Sequence, residues 1–78
     1  MARLDIDGIR RLEKGNGKKQ QKVDATYTVF ECDGEKLVQI DMYGRETREN
    51  PGKASQVIQF DKETAKFMVE LLKREFLL

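Results

Sequence analysis

Residues 23–43 read VDATYTVFECDGEKLVQIDMY, and this segment carries the strongest structural signal in the chain. Two runs rich in β-branched and aromatic residues flank Asp33 and Gly34, which is typical of a β-hairpin. An Asp-Gly pair favours a two-residue turn because both positions tolerate positive φ. Such a turn places Cys32 opposite Glu35, and that pairing sets the alignment of both strands.

The predicted register separates apolar from polar side chains. Val29 lies opposite Val38 on one face of the hairpin. Tyr27 lies opposite Ile40 on the same face, whereas the other face carries mostly polar residues. This pattern indicates a half-buried antiparallel sheet, and a shift by one residue would mix the two faces.

Weaker strand signals flank the hairpin. Leu4 and Ile6 alternate with acidic residues, so a first strand is predicted within residues 3–13, with a bulge near Gly8. The other predicted segments are polar loops over 14–22 and 44–53 and a fourth strand over 54–60.

Residues 62–76 form the predicted helix, with Asp61 as its N-cap. Its apolar residues form two stripes on nearly opposite sides. The stripe expected to cover the sheet contains Ala65, Met68, Val69, Leu72 and Phe76. The second stripe contains Phe67, Leu71 and Leu78. Because an exposed apolar stripe is costly for a small protein, we expect the second stripe to be the contact of a homodimer. A helix inserted more deeply into its own core is the alternative.

Together these elements predict one domain over residues 1–78, of the α+β class. The expected architecture is a four-stranded antiparallel β-meander followed by one C-terminal helix packed on the sheet. A domain of 78 residues buries only about 60–65% of the surface that its unfolded chain exposes, so its own core is thin.

The composition argues against several functional classes. The chain has no His and one Cys, which excludes a His-based catalytic triad, a Cys-rich zinc site and an intramolecular disulfide. The acidic neighbours of Cys32 disfavour a reactive thiolate. No apolar run approaches the roughly 20 residues that a membrane-spanning helix needs. We therefore expect a cytoplasmic protein that is not an enzyme, with no metal, cofactor or membrane contact.

Charge is distributed unevenly, although the net charge is only +1. Residues 1–22 carry seven basic side chains against three acidic ones, and residues 23–78 carry eight against eleven. Basic loops can neutralise phosphates, and an aromatic ring can stack on an unpaired base. The candidate nucleic-acid-binding residues are Lys14, Lys18, Lys19, Lys22, Tyr43, Arg45, Arg48 and Lys53. The alternative is that these loops carry basic residues for solubility alone.

Three segments resemble a family of short bacterial proteins often labelled methionyl-tRNA formyltransferase-like. They are Tyr27-Thr28-Val29-Phe30, Val38-Gln39-Ile40-Asp41-Met42-Tyr43-Gly44 and Ser55-Gln56-Val57-Ile58-Gln59-Phe60-Asp61. A formyltransferase of that kind needs a folate-binding catalytic domain and a catalytic His. This chain has neither the length nor any His, so the resemblance implies no formyl transfer.

The element order resembles the single-stranded-DNA-binding domain of positive cofactor four-type transcriptional coactivators. The likeness covers four strands and a C-terminal helix, with Lys53 ahead of the fourth strand and Asp61 opening the helix. It implies a dimer that uses a curved sheet and basic loops on single strands. We therefore expect a non-catalytic homodimer that binds single-stranded DNA or RNA weakly and without sequence specificity. The alternative is a dimeric protein-interaction or regulatory module that binds no nucleic acid.

Overall fold

The computed structural model describes residues 1–13, 15–44 and 54–78. Within these residues a four-stranded sheet has the order β1-β4-β3-β2, and one helix follows it. The elements are β1 (Ala2–Arg3), a 3₁₀ turn (Ile6–Gly8), β2 (Asp24–Cys32), β3 (Glu35–Tyr43), β4 (Gln56–Phe60) and α1 (Lys62–Phe76). The α+β class is confirmed.

The hairpin of β2 and β3 is confirmed in its register. Val29 lies opposite Val38, and Cys32 lies opposite Glu35 at the turn. Asp33 and Gly34 have φ angles of 54° and 78°, as a turn of two left-handed residues requires. Strand β4 extends this ladder on the far side of β3, also in the antiparallel sense.

The purely antiparallel meander is wrong, because β1 pairs with β4 in parallel. The predicted first strand is also much shorter, since the Asp5 side chain accepts a hydrogen bond from Asp7 N–H at 2.9 Å. Gly8 N–H donates to Asp5 O at 2.9 Å and closes the 3₁₀ turn. Gly8 therefore ends a turn and does not form a bulge. The segment between β1 and β2 carries the chain from one edge of the sheet to the other.

The helix has the predicted bounds, and its N-cap is confirmed. The Asp61 carboxylate accepts a hydrogen bond from Thr64 N–H at 2.9 Å, satisfying one of the free donors of the first turn. At the other end Leu77 adopts a left-handed conformation with φ of 55°. Leu78 N–H donates to Lys73 O at 3.0 Å, which closes the last turn.

The two apolar stripes of α1 are oriented differently from the prediction, although Ala65 and Met68 of the first stripe are partly buried and Leu78 of the second is exposed. Thr64 is fully buried, and its hydroxyl donates to Leu4 O at 3.3 Å. This contact turns the side of the helix with Phe67 and Leu71 inward, where both are partly buried. Val69, which was expected to cover the sheet, is 54% exposed. Leu72 and Phe76 on that stripe are exposed as well.

Few side chains of the described segments are fully removed from water. Leu37 is the one buried apolar residue there, at 6% exposure, and Thr64 is the one buried polar residue. The chain exposes 7391 Å², whereas a compact monomer of its size exposes about 4900 Å². Its radius of gyration is 14.6 Å, against about 11.5 Å for a compact domain of this length. Several large apolar side chains are exposed, among them Tyr27, Val29, Val69, Leu72 and Phe76.

The left-handed turn predicts a position-specific cost of adding a side chain. Gly34→Ala should destabilise the protein by about 1 kcal/mol, because L-residues pay for positive φ. Gly17→Ala is the matched control, since Gly17 has no positive φ and no atom within 4 Å of a new Cβ. Urea unfolding followed by circular dichroism measures both. Equal stability of the two variants would contradict the role given to the turn.

The N-cap predicts a stability loss in acid. The hydrogen bond from Thr64 N–H, with smaller contributions from the Thr64 side chain and the Arg3 charge, lowers the pKa of Asp61. Its stabilising contribution is therefore present above the unfolded-state pKa of about 3.9 and disappears as pH falls through the lower folded-state value.

Thermal unfolding of the wild type and Asp61→Asn between about pH 6 and pH 2 tests this linkage. Asn keeps a capping oxygen but does not titrate in this range. We expect the wild-type advantage in Tm to shrink as the pH falls. An advantage that stays constant over that range would contradict the linkage.

Candidate functional site

The hairpin register and the β3–β4 ladder bring the apolar side chains of three strands onto one face. Val38 is aligned with Val29 on one side and with Phe60 on the other. Ile40 is likewise aligned with Tyr27 and Ile58. We call this surface the apolar sheet face; its residues are Tyr27, Val29, Val38, Ile40, Met42, Ile58 and Phe60.

No residue of the apolar sheet face is buried. Tyr27 is 77% exposed and Val29 is 52% exposed, and the other five are partly buried. Leu37, the buried apolar residue named above, alternates with Val38 and so points to the opposite face. A contiguous exposed apolar surface of this kind is typical of a site of association.

The opposite face of the sheet is mostly polar apart from Phe30, Leu37 and Val57, and several of its polar side chains are hydrogen-bonded to one another. Gln59 donates its amide to Gln39 Oε1 at 2.9 Å, and Gln39 donates to Asp41 Oδ1 at 2.8 Å. Tyr43 lies on this face, with its hydroxyl 3.0 Å from Thr26 Oγ1. Tyr43 is thus partly buried and held by a hydrogen bond on the side away from the apolar sheet face. The sheet carries its two tyrosines on opposite faces.

The lysines of the first predicted loop reach one end of the sheet. Lys18, Lys19 and Lys22 are exposed and belong to one segment, which we call the basic segment (residues 18–22). Gln20, Gln21 and Val23 line a depression of about 440 Å³ together with Met42, Gly44, Ser55 and Gln56. The basic segment therefore lies beside the end of the sheet at which β3 finishes. Lys14, Arg45, Arg48 and Lys53 lie outside the described residues.

The opposite end of the hairpin is acidic. Glu31, Asp33 and Glu35 are exposed around the turn, and we call them the acidic turn. Glu35 is 3.5 Å from Arg3 Nη1. The exposed Cys32 thiol lies among these carboxylates, 3.8 Å from Asp33 Oδ2. The hairpin thus separates positive charge at one end from negative charge at the other.

The residues predicted for a helix-mediated dimer occupy two different environments. Phe67, Met68 and Leu71 line a groove of about 420 Å³ with Ile9–Arg11. Leu78 is exposed at the end of the chain.

The exposed aromatic residue of the sheet, Tyr27, was not among the residues predicted for the site. The alternation of β2 already placed Tyr27 on the apolar side, but that side was expected to be covered by the helix.

Across residues 1–13, 15–44 and 54–78 no group of three or more Cys, Asp or Glu side chains is arranged to hold a metal ion. Within the same ranges no helix has the length and apolar character to cross a membrane.

Comparison with known proteins gives no match to a protein-family model, a curated protein or a solved structure. Both family resemblances stated from the sequence stay predictions.

Proposed function

We propose that this chain is a non-catalytic interaction module that works as a homodimer. The observation that carries the proposal is the apolar sheet face, where Tyr27 and Val29 are mainly exposed and no member is buried. A cytoplasmic location, in keeping with the unpaired thiol of Cys32, belongs to the same proposal.

The apolar content of this face supports association. Its seven members come from three strands, and the two on β2 are mainly exposed. The homodimer contact is placed here on the sheet, because Phe67 and Leu71 are already partly buried beside Ile9.

A matched pair of valines tests where the copies meet. Val29 on the sheet and Val69 on the helix are almost equally exposed, at 52% and 54%. We expect a wild-type mass of two chains by light scattering, a monomer for Val29→Lys and a dimer for Val69→Lys. A charge at position 29 lies among the apolar side chains beside the contact and disfavours their packing, whereas Lys on an exposed helix face stays solvated.

Circular dichroism should show both variants folded. A monomeric wild type at high micromolar concentration would refute self-association. A monomer produced only by Val69→Lys would place the contact on the helix.

Single-stranded nucleic acid is the second candidate ligand, and it is favoured by one specific observation. The basic segment lies beside the end of the sheet that contains Met42. Met42 belongs to the apolar sheet face, and Tyr27 is exposed on that same face. Lysines that neutralise phosphates next to a ring that can stack on bases are the two features of nonspecific single-strand binding. Tyr27 replaces Tyr43 as the proposed stacking residue, because Tyr43 is on the other face and bonded to Thr26.

A titration with fluorescent oligo-dT at about 50 mM and about 200 mM salt tests this candidate. We expect Lys18→Ala/Lys19→Ala to weaken binding and to reduce the magnitude of the salt slope by about 1.4, since each single-strand phosphate contact contributes about 0.7.

The matched control is Lys62→Ala/Lys66→Ala, which removes two exposed lysines from the helix. Equal losses in both double variants would assign the effect to net charge alone. No binding at the lower salt concentration would exclude the nucleic-acid candidate.

A further inference from the structure

Strand β2 forms a long open edge of the sheet. It is nine residues long and lies at the end of the strand order, with β3 on one side. No hydrogen bond from another described residue reaches its outer side. The opposite edge is formed by β1, which has only two residues.

The turn geometry shows which backbone groups face outward. Across a two-residue turn, Cys32 and Glu35 exchange both of their backbone hydrogen bonds. Inward-facing and outward-facing residues then alternate along β2. The N–H and C=O groups of Ala25, Tyr27, Val29 and Glu31 therefore point away from β3.

This edge lacks the features that usually prevent edge pairing. Its sequence, DATYTVFEC, contains no Pro, Lys or Gly, and its ladder with β3 is continuous, without a bulge. Residues 25–30 are uncharged and rich in β-branched and aromatic types. Such an edge is a template for another strand.

We propose that a second copy of this chain adds its own β2 to this edge, antiparallel and about a two-fold axis at Thr28, to form one continuous sheet. The inference rests on the self-association proposed above and places its contact at the β2 margin of the apolar sheet face, which stays open in the joined sheet. The two-fold axis makes each contact occur twice, as an isologous dimer requires.

The centre at Thr28 follows from strand overlap and side-chain pairing. Thr28 is the midpoint of Asp24–Cys32, so all nine residues of each copy are paired. Tyr27 then lies opposite Val29 of the second copy, and Thr28 lies opposite its own equivalent. Aromatic with β-branched and Thr with Thr are favourable cross-strand pairs.

Neighbouring registers are less favourable. A centre at Tyr27 shortens the overlap and places Phe30 opposite Asp24 of the second copy. A centre at Val29 also shortens it and places Tyr27 opposite Glu31. A two-fold axis that passes between two consecutive residues of β2 is excluded, because it would place side chains from opposite faces of the sheet opposite each other.

Charge complementarity supports the same arrangement. The basic segment precedes β2, and the acidic turn surrounds its other end. Antiparallel pairing therefore brings the basic segment of each copy beside the acidic turn of the other. Three lysines approach three carboxylates at each end, with Lys36 and the Arg3–Glu35 ion pair also at the turn. Asp24 lies opposite Cys32 of the second copy.

The dimer would also complete a binding surface. Tyr27 and Val29 of both copies would meet at the centre of the joined sheet, since both residues belong to the apolar sheet face. Each chain alone provides half of this surface, with its most exposed residues at the margin.

Disulfide trapping tests the register. In a Cys32→Ser background, Thr28→Cys would bring two thiols to a non-hydrogen-bonded pair with Cα atoms about 4.5 Å apart, within the range of a disulfide. In Tyr27→Cys and in Val29→Cys, the Cα atoms of the new cysteines in the two copies would lie about 8 Å apart, beyond the range of a disulfide. Val69→Cys on the exposed helix face controls for crosslinking by random collision.

We expect mild oxidation to convert Thr28→Cys almost completely into a dimer that a reducing agent separates. The other three variants should form little or no disulfide-linked dimer. Light scattering of the unoxidised proteins gives the mass independently. A dimeric mass without Thr28 crosslinking overturns the edge geometry but leaves self-association standing. Crosslinking at Tyr27 or Val29 in place of Thr28 overturns the register. A monomeric mass overturns both proposals.

Discussion

The positive φ angles at Asp33 and Gly34 determine how the sheet is put together. They close a two-residue turn, which aligns β2 with β3 and assigns each side chain to a face. Strand β4 continues the same alternation, so apolar residues from three strands collect on one surface. The turn also decides which backbone groups of β2 face outward. The apolar sheet face and the open edge therefore have a common origin.

Sequence reasoning recovered the local features of this fold. The hairpin register is set by the two turn residues and by the alternation of side chains beside them. The start of the helix is set by Asp61. Each of these signals lies within a few residues of the feature that it predicts. The parallel pairing of β1 with β4 has no such signal, because Ala2 and Arg3 are too short a strand to show alternation. The inward side of α1 was also missed. Both sides of that helix are apolar, and the buried Thr64, which orients it, is polar.

The candidate site was only partly accessible from sequence. The basic residues before β2 and the acidic residues around the turn are readable as charge patterns. Their significance depends on the hairpin, which places them at opposite ends of one strand. Exposure of Tyr27 could not be read from alternation, because the same pattern fits a face covered by a helix and a face left open. Tertiary packing decides between these two states.

The small strand β1 has a consequence for the size of any assembly. It pairs with Ile58 and Gln59 of β4, and Leu4 N–H donates to Gln59 O. The Thr64 hydroxyl donates to Leu4 O across 60 positions of the chain. A sheet with one long edge can close into a pair, whereas a sheet with two long edges can add strands without limit. Closing so long a loop with few hydrogen bonds makes this strand prone to local opening. So short an edge strand is a poor template for a further strand, which favours a closed pair over fibrous growth.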